Sequence, residues 1–411
     1  MVSICSENVL LGTCAGGAAA MTGDHNIALG QNAGKVLTSG SHNIILGRNA
    51  GLAADTATGI VYLGRNAGFA NAGGEYAIII GESAGFTGTA ICDNIIIGRE
   101  AGYAGSFANG KYNTIVGMQA GCDVTSGCYN TLLGHCAGTN LTSGTDNVAI
   151  GRGANQSGTT TGTVNVFIGK YAGNNNDSGS CNVFIGNTAA QLHTTGSGNV
   201  AIGHCSDYKN CTGSSNVMVG CHAGKCNDNG SGNTFVGADA GKYAGGQGYS
   251  TFIGHRAGGN ITGGGLEVAI GRRAGHGYGA RCCNVFVGAY AGEEITSGKC
   301  NIFLGARAGT DLKTGSSNIV IGYCVCLASN STSNCLLVGN QTNRWLTGDS
   351  NYVVSSGNAL EAGTFFQNAV NLDTNTTFPA AGTKNGGVFG PYTIDSGVTL
   401  TISSGSTFTI I

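Results

Sequence analysis

Twenty times along the chain an apolar triplet runs into a glycine, from Gly12, Gly30 and Gly47 through to Gly322 and Gly339. Nineteen intervals of 17, 18 or 19 residues separate those glycines. A period this short and regular marks one structural unit stacked on itself, because a single unit is too small to bury an apolar face alone. It replaces the two or three globular domains that 411 residues would otherwise suggest. A shaft or an extended surface is therefore expected, rather than an enclosed active site.

Positions are numbered here from the repeat glycine as position 0. Position −1 is Ile, Leu or Val in all twenty copies, and position −3 is Val, Ile, Leu or Thr in all twenty. This period of two with a β-branched preference predicts a short strand with one strongly apolar face. Alanine stands at +3 in seventeen copies and a second glycine at +4 in fifteen, as expected of a cramped interior corner. Segments such as Leu141–Gly144 and Ile295–Gly298 then supply an opposite wall. About 17 residues thus make two short strands and two turns. The expected fold is all-β: a parallel β-solenoid or β-roll of about twenty 17-residue coils, roughly 95 Å long at ~4.8 Å per coil.

Asparagine occupies −4 in fifteen copies. Stacked coil on coil, its amides can hydrogen-bond along the column, and we read it as a structural ladder rather than a ligand-binding stripe. Position −2 is expected to point away from the coil's own core, yet it is apolar throughout. It includes Tyr62, Phe167, Phe184, Met218, Phe235, Phe252, Phe286 and Phe303. Such a stripe is too large for a soluble monomer to expose, so these eight residues are assigned to an interface between identical chains. Closed symmetry around one axis predicts a homotrimer.

Charged residues are only 10 % of the chain and the net charge is −2, so no nucleic-acid partner is expected. Apolar runs such as Ile78–Ile80 are too short to insert into a membrane. No basic stretch followed by an apolar core opens the chain, so no secretion signal is expected. The seventeen cysteines are odd in number and fall in several columns: Cys14, Cys136, Cys205 and Cys324 at +2, and Cys181, Cys283 and Cys300 at −5. That scatter predicts reduced, half-buried fillers rather than a disulfide ladder.

No enzyme constellation emerges. Glu293 and Glu294 are the only adjacent glutamates, and the glycine-rich turns lack the lysine and helix of a phosphate cradle. No catalytic residue and no cofactor are expected. No metal is expected either: the one candidate ligand set, His204 with Cys205 and Cys221 with His222 at the same two places on neighbouring coils, is read as ordinary turn residues first. Neighbours in extended chain point apart, so the four converge only if the turn curls them together.

The expected division is a lead-in over 1–7, a repeat shaft over 8–351 and a small C-terminal β module over 352–411. Residues 351–354 are the remains of a last coil. Alternating Thr and aliphatic residues broken by Ser-Gly turns, from Tyr392 to Ile411, predict two or three antiparallel strands that cap or trimerise the rod.

The cores Asn147–Gly151 and Asn199–Gly203 resemble the head repeats of trimeric autotransporter adhesins, which implies a left-handed parallel β-roll and a trimer. The longer unit Asn301–Ser317 resembles cysteine-bearing repeats of tail-fibre proteins from marine tailed phages, notably those infecting cyanobacteria. The segment Ile394–Ile411 is similar to the closing segment of such virion proteins. With no secretion signal, coiled-coil stalk or membrane anchor expected, the sequence departs from the adhesin pattern and favours the phage one. The resemblance implies a virion tail fibre, made in the host cytoplasm and extracellular once assembled. Its partners would be other virion proteins and a host cell-surface receptor, with receptor-binding residues unknown. The alternative is a self-assembling extracellular filament or cell-surface adhesin subunit.

Overall fold

The computed structural model describes residues 2–349 except 6, 18–20, 108–109 and 247, and beyond them only 354–356, 371–372, 376–378, 393–394 and 400–402. Its secondary structure is all-β, a parallel solenoid of about 19 turns of roughly 17 residues each. Most coils contribute one three-residue strand, Val183–Ile185 for example. These strands align residue for residue with the coils before and after, so Phe167, Phe184 and Ala201 stack in one column.

The expectation of two strands per coil is corrected. The second wall is built from turns; among the described residues regular pairing occurs there only between Ile261–Gly265 and Gly279–Cys282, beside isolated bridges such as Leu141 with Thr160. Turn backbone still bonds from coil to coil: Gly34 N–H donates to Ala50 O at 3.0 Å, and Cys136 N–H to Met118 O at 3.0 Å. Hydrogen bonding therefore runs round the corner without strand geometry.

The repeat glycine is explained by its backbone. Gly186 has φ +137°, and a Cβ there would lie 2.4 Å from the carbonyl oxygen of Gly203 in the next coil. Only glycine permits that dihedral and that approach together.

The −4 asparagines are buried and form the expected ladder. Asn130 Nδ2 donates to Asn113 Oδ1 at 3.0 Å and to Gly144 O at 2.9 Å. Its own Oδ1 accepts the backbone N–H of Asn147 at 2.9 Å. One amide thus satisfies two neighbouring coils and one turn.

Both ends of the sheet turn antiparallel. Val2–Cys5 folds back on Asn8–Leu11, so the expected lead-in is a strand. Leu336–Gly339 pairs with Arg344–Gly348, which pairs with Val354–Ser356. Val354 is therefore in a meander and not in a last coil, while 351–353 lie outside the described residues. The described C-terminal segments pair in parallel, Asn371–Leu372 with Thr393–Ile394 and Thr376–Phe378 with Leu400–Ile402. This corrects the antiparallel expectation for those segments; the rest of that module lies outside the described residues.

Candidate functional site

Strand parity decides which columns are available to a partner. Tyr62, Phe167, Phe184, Met218, Phe235, Phe252, Phe286 and Phe303 are all fully buried within the single chain. Their assignment to an intermolecular interface is corrected: they are the coil's own core. Position −2 shares its face with the buried −4 asparagine. It packs on the corner glycine, where a Cβ at Gly173 would stand 2.4 Å from the Phe167 ring.

The outward columns are −3 and −1. Val9, Leu11, Leu133 and Ile253 expose 41, 47, 45 and 39 % of their surface, and Ile27, Ile44, Ile95, Ile302 and Ile319 are likewise exposed. These aliphatics form a continuous outer face of the sheet along the solenoid. Just past the glycine, the exposed side chains of Gln31, Arg48, Arg65, Glu82, Arg99 and Arg152 rim it with polar and charged groups. Twenty rungs at ~4.8 Å, each ~10 Å wide, make a face of roughly 950 Å². That exceeds the ~300–600 Å² patch usual on a monomer and matches the ~800 Å² that each partner gives to a stable interface.

The interior is not uniformly apolar. Between Ala201 and Met218 the corner residues are Ser206 and Asp207, and the opposite wall carries buried Asn176, His193, Asn210 and Asn227 on successive coils. Asp207 Oδ2 accepts from Asn210 Nδ2 at 3.0 Å, and Oδ1 has no partner within hydrogen-bond distance. Burial pushes its carboxyl up to about 7. Burial likewise pushes the His193 imidazole down to about 4. Neither residue was singled out from the sequence. The signal was present, since Asp207 replaces the corner glycine.

On the outside of that same coil, His204, Cys205 and His222 converge, with one ligand atom from each lying within 4.8 Å of the others. Cys205 has φ +50°, and this left-handed turn brings two adjacent side chains to one side. Cys221 is exposed and is not among the converging atoms. The sequence-derived set of four is thereby reduced to three. Cys136, Cys205 and Cys221 all carry free thiols.

No family model, curated protein or solved structure matches the chain.

Proposed function

We propose that the chain is the shaft-forming subunit of an attachment fibre, a virion tail fibre in kind, working as a homotrimer that presents its turns and C-terminal end to a cell-surface receptor. The observation that carries this reading is the exposed aliphatic face. Position −1 is aliphatic in every coil although it does not face the chain's own core, and burial by sister copies would explain the restriction. A rod with one apolar side and polar turns elsewhere suits a bundle of few chains, and three copies would multiply a weak contact by avidity. No catalytic role is needed for this function.

The alternative is a filament that grows end to end. The antiparallel strands at the two sheet ends support the discrete assembly, because they cover the first and last rungs that head-to-tail stacking would use.

Sedimentation of the full chain across a range of concentrations tests the proposal. One species with the mass of three protomers, able to adsorb saturably to intact cells, is the expected outcome. A micromolar monomer would overturn it, and fibrils lengthening with concentration would establish the alternative.

A further inference from the structure

We propose that His204, Cys205 and His222 bind one zinc-class divalent ion, which clips the coil of Gly203 to the coil of Gly220. The donor set, two imidazoles and a thiolate, is one that zinc prefers.

The distances agree with a shared ion. Two donors on one tetrahedral zinc, with bonds of ~2.3 Å to sulfur and ~2.0 Å to nitrogen, stand about 3.5 Å apart. Cys205 Sγ lies 3.4 Å from His204 Nε2. The His204 and His222 rings are tilted by 54° with centroids 5.4 Å apart, and the three donor atoms lie within 4.8 Å of one another, so a small closure brings the third donor in.

Each of two ligands also has an outer partner of the kind that orients metal ligands. His222 Nδ1 lies 3.3 Å from Asp239 Oδ1, and a proton on Nδ1 leaves the Nε2 lone pair for the metal. Thr188 Oγ1 donates to Asn187 O at 2.7 Å and lies 3.1 Å from Cys205 Sγ, so its hydroxyl has only to turn to donate to the thiolate. Thr188, Cys205, His222 and Asp239 all occupy position +2 on four successive coils. Hence one column supplies outer partner, ligand, ligand and outer partner in order, with His204 beside it.

The chain contains its own control. His135 and Cys136 repeat the dipeptide at the same places, with Sγ 3.6 Å from Nε2. The next coil there offers Arg152 and Gly153, so no third ligand exists. Binding releases the Cys205 thiol proton and leaves a fourth position for water. The clip sits over the coil whose corner has lost its apolar packing at Ser206 and Asp207, where a cross-coil bond would stabilise most.

Titration of metal-free full-length protein with Co²⁺ tests the site. One equivalent should produce thiolate charge-transfer and intense tetrahedral visible bands, both abolished by stoichiometric Zn²⁺. Cys205→Ser and His222→Ala should each weaken binding at least ~100-fold, and Asp239→Asn ~10–100-fold. Cys136→Ser and Cys221→Ser should leave it unchanged. Absence of a tetrahedral cobalt spectrum would overturn the proposal, as would a spectrum that survives Cys205→Ser with His222→Ala in protein whose far-ultraviolet circular dichroism is intact.

Discussion

Asp207 shows how much one residue can alter the chemistry of a coil. Where most coils place glycine at the corner, this one buries a carboxyl with an unpartnered oxygen, and burial raises it to about 7 from 3.8. The folded chain therefore keeps the proton over a range in which the unfolded chain has released it. The corresponding stability is complete below pH ~4, falls as pH rises towards ~7, and is flat above. His193 has the opposite sign. Its imidazole is lowered from 6.5 to about 4, so its contribution is complete above pH ~6.5 and is lost as pH falls. The two slopes oppose each other across the same window. Asp207→Asn should therefore gain on the parent as pH rises from 4 to 7, with a steeper acid loss of its own. Urea midpoints at pH 4, 5.5 and 7.5 would show this. Equal midpoint differences at all three pH values would refute the assignment.

At the scale of the element, the coil of Gly271 departs furthest from the repeat. Glu267 takes the −4 place that asparagine holds in fifteen coils, and Arg281 reaches it from the opposite wall at 3.1 Å, with both side chains fully buried. Asn284 Nδ2 still donates to Glu267 Oε1 at 2.8 Å, so the amide ladder continues through a carboxylate. The guanidinium also donates to the carbonyls of Gly277 and Ile295 at 3.0 and 2.6 Å. Desolvation lowers the Arg281 pKa while the Glu267 charge works to restore it. This is also where the second wall becomes a true strand pair. The ion pair thus ties the short two-stranded sheet to the main sheet across the core. Removing one member strands the other in the interior, so Glu267→Ala should cost about 3–5 kcal/mol. A double-mutant cycle with Arg281→Met should show the two losses to be far from additive. Additive losses in thermal melts, or a single loss below ~1 kcal/mol, would mean that the pair is not formed.

For the whole molecule, the correction at position −2 relocates the association surface without removing it. Leu133, Ile202 and Ile270 point outward at position −1, on coils spread along the rod. Replacing all three with lysine puts charge on the face while leaving the coil interior untouched. The expected result is folded single chains, seen as a threefold fall in sedimenting mass with an unchanged far-ultraviolet spectrum. Phe184→Ala should do the reverse, keeping the association surface but costing about 3–5 kcal/mol in the core. If the lysine variant keeps its mass, the chains meet elsewhere.

The period, the glycine, the small corner and the amide ladder were all legible in the sequence, because each depends on contacts that every coil repeats with the next. Parity held the information that the interface assignment needed. Asn182 and Phe184 are two apart and share a face, and a buried ladder at −4 already implies a buried ring at −2. The tertiary structure was needed for whatever depends on the shape of a single corner. Opposite walls made of turns depend on backbone dihedrals that apolar patterning does not encode. His204, Cys205 and His222 meet because the left-handed φ that the coils share at +2 falls on ligand side chains in two successive coils, and Arg281 finds Glu267 across an interior that exists only once the coil has closed. A repeated sequence specifies what is common to all coils; its exceptions acquire meaning only when stacking brings them together.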